Sequence, residues 1–170
     1  AEVVLQTQPG QPGETCVTLL APASRAEDRK ELFRKCTYGL VWPQSLRIAP
    51  RGQTMVLSVQ PLPSWNELWI LHPDQPLDGK GPASGWRVDT LSPAATEPQL
   101  GNIELAGFSP DGARVLVARE AEVAGVIKRE FQVIRLATLQ VETKARSADR
   151  LAAFRSWQSA DWQSRTLALR

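Results

Sequence analysis

A turn-and-strand unit that occurs twice is the feature that most constrains how this chain folds. The first copy, Leu46–Val59, reads LRIAPRGQTMVLSV, and the second, Ala106–Arg119, reads AGFSPDGARVLVAR. The two align at an offset of sixty residues, with proline on proline and glycine on glycine. Proline fixes φ for a turn, and glycine accepts the positive φ of a tight reversal. The alternating apolar residues that follow predict a short strand after each turn.

Two further strands are predicted downstream of each copy, at similar distances. They are Asn66–His72 and Gly85–Leu91 after the first copy, and Glu130–Leu136 and Leu139–Ala145 after the second. Four short strands joined in sequence form an antiparallel β-meander. A weak third copy is predicted in residues 159–170, preceded by a short helix in residues 146–157.

The FSPDG turn at Phe108–Gly112, followed by an alternating apolar strand, resembles the repeat of TolB-like and WD40-like β-propellers of bacterial exported proteins. The first copy, Ala49–Gly52, lacks both the aromatic residue and the aspartate. The resemblance implies a mainly β fold of antiparallel meanders resembling two to three propeller blades, with one or two short helices. Because closed propellers usually need at least four blades, we expect a part of a larger protein or a sheet completed by a partner. A self-contained β-sandwich is the alternative.

The rest of the chain is consistent with one domain. Residues 1–13 are rich in Gln, Pro and Gly and are predicted to form a flexible leader, and residues 14–170 a single domain. No apolar run approaches the roughly 18 to 20 residues that a membrane-spanning helix needs. The spacers between the predicted strands are dense in Pro and Gly, which predicts connecting loops.

The only two cysteines, Cys16 and Cys36, flank a segment predicted to be a short helix. Ser24 and Glu27 have the spacing of a capping box, and the helix would end near Lys35, between strands predicted in residues 16–22 and 35–43. A disulfide between the cysteines fits an exported protein whose signal peptide has been removed. Two buried free thiols are the alternative. The disulfide reading predicts a periplasmic or extracellular location.

Recognisable catalytic, cofactor and metal motifs are not found in the sequence. There is no G-x-S-x-G or C-x-x-C motif, and the one histidine, His72, is predicted to be a surface residue at the end of a strand. The glycines in Asp78–Gly85 lack the following helix of a phosphate loop. Twenty basic and eighteen acidic residues are interspersed, so no basic stripe for nucleic acid is present.

Six tryptophans against one tyrosine are the unusual part of the composition. Most are expected to fill space between sheets, whereas Trp65 and Trp86, beside Pro/Gly loops, are predicted to anchor a protein or glycan partner. The sequence therefore predicts a non-enzymatic, exported interaction or scaffolding domain that binds an unidentified protein partner. The alternative is a substrate-gating portion of a larger hydrolase whose catalytic residues lie outside this chain. Self-association through sheet edges is a further hypothesis.

Overall fold

The computed structural model describes residues 3–74, 85–93 and 100–147, which form eleven β-strands and one short 3-10 turn. The strands are β1 Val4–Pro9, β2 Thr15–Leu20, β3 Glu31–Thr37, β4 Leu40–Ile48, β5 Met55–Leu62, β6 Trp65–Pro73, β7 Trp86–Leu91, β8 Gly101–Phe108, β9 Arg114–Val123, β10 Val126–Arg135 and β11 Val141–Ala145. The predicted mainly β fold with antiparallel sheets is confirmed. The predicted third copy and most of the helix before it lie outside the described residues.

The N-terminal sheet consists of β1, β2 and β3, paired antiparallel in that order. The segment predicted as a flexible leader therefore contains a strand, and Leu5 of that strand packs against the core. The predicted helix is wrong: between Cys16 and Cys36 the only helical turn is the 3-10 turn Ala26–Asp28, and Lys35 lies in β3. Pairing with β2 and the packing of Phe33 against the core override the local capping signal.

The predicted strand at residues 35–43 is in fact the junction of two strands in different sheets. β3 ends at Thr37 in the N-terminal sheet, and β4 begins at Leu40 in the larger sheet. Gly39 lies between them, and a Cβ there would collide with the carbonyl oxygen of Gln60. Only glycine allows the backbone to pass this close to β5.

The larger sheet contains two four-stranded antiparallel meanders, as the repeat predicted. The first meander runs β4-β5-β6-β7 and the second runs β8-β9-β10-β11. They are joined where Trp65 of β6 pairs in parallel with Gly101 of β8. No backbone pairing other than this one joins the meanders within the described ranges.

The backbone of the two copies is equivalent at the predicted offset. Ile48 pairs with Met55 in the first hairpin, and Phe108 pairs with Val115 in the second. The turns close in the same way, because Ala49 N–H donates to the Thr54 carbonyl at 2.8 Å and Ser109 N–H to the Arg114 carbonyl at 3.0 Å. The repeat read from the sequence is therefore a structural repeat of the turn.

The second turn packs directly on the first. The side chain of Ser109 is buried, and its hydroxyl donates to Asp111 Oδ1 at 2.6 Å and accepts from Arg114 N–H at 2.9 Å. The hydrogen bonds from Ser109 and from the Ala113 N–H lower the pKa of Asp111. A Cβ on Gly112 would collide with the carbonyl oxygen of Pro50. The two proline turns are thus in van der Waals contact, one in each meander.

The apolar core includes two layers, one between the N-terminal sheet and the first meander and one between the two meanders. One cluster joins the N-terminal sheet to the first meander and includes Leu19, Leu57 and Trp69. A second cluster joins the two meanders and includes Ile70 and Ile103. Alternate residues of the first meander therefore point to opposite apolar layers, which explains why its central strands are apolar without a clear alternation.

Candidate functional site

Cys16 and Cys36 form a disulfide, as one of the two sequence readings predicted. They lie directly opposite one another on β2 and β3, so the bridge ties a cross-strand pair and not the ends of a helix. The Glu14 carboxylate lies close to both sulfurs, with Oε1 3.7 Å from Cys16 Sγ. Because both sulfurs are oxidised, this cluster offers no thiolate to a metal ion.

His72 is buried, so the prediction of a surface histidine is wrong. It is 5% exposed, because β6 continues to Pro73 and His72 pairs with Arg87 of β7 instead of ending the strand at the surface. Its Nε2 lies 3.1 Å from Asp89 Oδ2, and Arg87 Nε lies 3.4 Å from the same oxygen. Burial and the charge of Arg87 lower the pKa of His72 against the opposing effect of Asp89. The lowered pKa favours the neutral form of the imidazole.

The tryptophans predicted as partner anchors lie partly in the core. Trp65 is 9% exposed, and the position of a Cβ at Gly101 would be 2.9 Å from Trp65 Cε3. Trp86 is half-buried at the start of β7 and packs against the first apolar layer. Trp69 is buried, with Lys35 Nζ 4.7 Å from its ring centroid. The role of Trp65 and Trp86 in partner binding stays a prediction.

A different tryptophan, Trp42, is exposed on the edge strand β4. We define the β4 edge surface as Tyr38, Leu40, Trp42 and Ile48, whose exposed fractions are 68%, 57%, 45% and 59%. β4 is the last strand of the larger sheet, and it pairs with β5 alone among the strands that the structure describes. The sequence signal was the apolar alternation before Pro43, which the prediction used only as part of a strand.

The β4 edge surface is held by a bulge with internal hydrogen bonds. The register of β4 on β5 shifts between Trp42 and Arg47. Ser45 spans this shift, because its hydroxyl donates to the Trp42 carbonyl at 2.6 Å and accepts from the Ser58 N–H at 2.8 Å. Arg47 donates to the Gln44 carbonyl at 2.9 Å. These bonds fix the backbone that carries Trp42, and a bulge of this kind re-aims side chains at a sheet edge.

A polar cleft lies in the same sheet, at the point where the two meanders join. Its volume is about 280 Å³, and Trp65, Gln60, Asn66, Asn102 and Glu120 are among the residues that line it. Two of its amide oxygens, Asn66 Oδ1 and Asn102 Oδ1, are buried and accept no hydrogen bond from the described part of the chain. The cleft therefore combines a largely buried indole, that of Trp65, with two polar groups whose hydrogen-bonding capacity is unused.

No protein-family model matches this chain, and no curated protein or solved structure matches it significantly. The resemblance to propeller repeats thus rests on the residues of the two turns. Within the described ranges, no helix is long and apolar enough to cross a membrane.

Proposed function

We propose that this chain is an exported, non-enzymatic protein-interaction domain that binds an extended segment of a protein partner at β4. The observation that carries the proposal is the β4 edge surface: Leu40, Trp42 and Ile48 are exposed on a strand that pairs on one side only among the described strands, and Tyr38 is exposed just before it. Single exposed apolar residues are common on protein surfaces, but Leu40 and Trp42, which pair with Gln60 and Ser58, are exposed together on one face of β4.

An extended peptide is the occupant that the chemistry of the edge favours. Among the described strands, the edge of β4 that faces away from β5 is unpaired, and on either side of the bulge it offers backbone N–H and C=O groups to a second strand. Arg47 is the only ionisable residue within Leu40–Ile48, so few charges oppose edge pairing, whereas Pro43, which has no N–H, and the bulge interrupt the ladder between its two ends. Trp42 would be the anchor, since tryptophan is enriched among the residues that dominate binding energy.

The repeat of the two meanders supports the same proposal. Two meanders carry equivalent turns, and the second turn packs against the first, as neighbouring repeats do in stacked architectures. Because closed propellers need more blades than two, a partner strand or sheet at β4 would complete the assembly. The disulfide fits an oxidising compartment, so we place the interaction in the periplasm or outside the cell.

The first experiment is site-specific photo-crosslinking in cells that produce the full chain. A photoreactive phenylalanine analogue replaces Trp42, and the matched control carries it at Val126, which is 57% exposed on β10. We expect position 42 to cross-link a single extended segment of another protein. No cross-link above the control would overturn the proposal. A cross-link to a second copy of the chain would replace it by self-association.

The second experiment uses the cross-linked segment as a synthetic peptide. Titration with the purified chain should show an affinity that Trp42→Ala reduces about 30-fold, the effect of a hot-spot residue, whereas Val126→Ala leaves it unchanged. N-methylation of alternate peptide residues should abolish binding only where the N–H faces β4. Equal tolerance of N-methylation at every position would contradict strand pairing.

A further inference from the structure

We infer that the cleft between the two meanders is a binding site for a neutral sugar ring, free or as the end of a glycan. This site goes beyond the protein interaction proposed for β4, and it does not depend on that interaction. The inference rests on three properties of the cleft. A row of polar side chains crosses the sheet there, two amide groups have unused hydrogen-bonding capacity, and the charge and volume of the cleft limit the class of ligand.

The polar row crosses four neighbouring strands. Gln60 of β5 and Asn66 of β6 lie beside the paired residues Val59 and Glu67. Asn66 and Asn102 each follow a member of the Trp65–Gly101 pair, and Asn102 is paired with Glu120 of β9. All four polar residues line the same cleft. The polar row therefore lies where the apolar layer between the meanders ends.

The amides of Asn66 and Asn102 have unused hydrogen-bonding capacity. Each carries a buried oxygen without a partner, although Asn102 Nδ2 donates to Glu104 Oε1 at 2.9 Å. A buried acceptor left unpaired is destabilising, so a ligand that satisfies it is favoured. The terminal torsion of asparagine is broad and roughly two-fold, so rotation of the amide turns its oxygen or its nitrogen toward the cleft. A ligand that both donates and accepts suits such groups.

Charge and shape narrow the class of ligand. Of the described residues that line the cleft, Glu120 is the only ionisable one, so an anionic ligand meets a negative charge and no basic side chain. A strongly apolar ligand would leave the amides unpaired. A sugar ring offers hydroxyls that both donate and accept hydrogen bonds, which matches the amide groups of the cleft. A volume of about 280 Å³ is at the lower limit of small-ligand pockets, which favours one ring.

Isotope-labelled full chain should be titrated separately with N-acetylglucosamine, glucose and galactose and followed by NMR. At least one of these sugars should shift the side-chain amides of Asn66 and Asn102 and the indole N–H of Trp65, with one dissociation constant of about 1–10 mM. The indole of Trp42 should not move. If none of the sugars shifts these signals, the inference is wrong. If calcium chloride or butylammonium alone shifts them, the site is a cation site and the inference is also wrong.

Two cleft variants and one control distinguish a loss of sugar binding from a loss of folding. Asn102→Ala and Gln60→Ala should each weaken sugar binding about tenfold, the effect of one lost hydrogen bond, while the remaining backbone signals keep their positions. Trp42→Ala should leave sugar binding unchanged. Because that variant disables the β4 edge surface, sugar binding that survives it separates this site from the proposed protein interaction. Unchanged affinity in both cleft variants would overturn the assignment.

Discussion

Substituting Gly112 tests the contact between the two repeats directly. Gly112 has a φ of 73°, and a Cβ at this position would collide with the carbonyl oxygen of Pro50 in the other turn. Gly125 provides the matched control, because its φ is 77° and a Cβ there has nothing within 4 Å. Alanine meets the same backbone strain at both positions but a steric collision only at the first.

The two substitutions should therefore differ in cost. The left-handed conformation costs an alanine about 1–2 kcal/mol, which is the whole effect expected for Gly125→Ala. Gly112→Ala adds the cost of forcing an extra methyl group into a packed contact, about 1–3 kcal/mol. The expected loss of unfolding free energy is therefore about 2–5 kcal/mol for Gly112→Ala. The difference between the variants measures how tightly the turns are packed.

Urea unfolding of the oxidised chain, followed by tryptophan fluorescence, gives the midpoint and the m-value of each variant. Gly112→Ala should have the lower midpoint, with an m-value equal to that of the parent chain. Equal midpoints for the two variants would refute the reasoning, because the Pro50 carbonyl would then not oppose a side chain at position 112. A changed m-value would show that the comparison of midpoints no longer measures stability alone.

Two further predictions concern His72 and the disulfide. Because the folded-state pKa of His72 is lowered, its contribution should lower the unfolding free energy as the pH falls below about 6.5, by at most about 1.4 kcal/mol per pH unit, and it should have no effect above pH 7. Denaturant midpoints at pH 5 and pH 7 should therefore differ less in His72→Gln than in the parent chain, and an equal difference would contradict the assignment. Reducing the Cys16–Cys36 bridge, whose sequence separation is 20, should cost about 3 kcal/mol. Unfolding with and without reductant measures this loss, and unchanged midpoints would show that the bridge does not stabilise the fold.

The turns and the order of strands could be predicted from the sequence because their signals are local. Pro110 and Gly112 determine a turn through their own backbone preferences, whatever packs around them. The strands after each turn follow from short apolar runs between Pro/Gly spacers, and the structure places a strand at each of them. The two hairpins have equivalent backbone pairing at the offset read from the sequence, because each turn is determined by its own residues.

The sequence predictions are wrong where contacts with segments distant in the sequence determine the structure. Ser24 and Glu27 have the spacing of a helix cap, but Phe33 packs against the core as part of a strand. His72 was expected at the surface because it stands near Pro73, yet its burial depends on β7, which follows a long spacer. Trp42 was not singled out because its exposure depends on β4 being an edge strand, which the alternation of residues does not reveal.

The β4 edge surface and the cleft lie in the same sheet, but substitutions can test ligand binding at each of them separately. Leu40 pairs with Gln60, which lines the cleft, so the row is continuous from the edge to the junction of the meanders. Trp42 and Asn102 lie on β4 and β8, three strand spacings apart, which corresponds to about 14 Å. Substitutions at this separation usually act independently. Loss of peptide binding in Trp42→Ala with sugar binding intact, and the reverse in Asn102→Ala, would therefore show that the two surfaces bind their ligands independently.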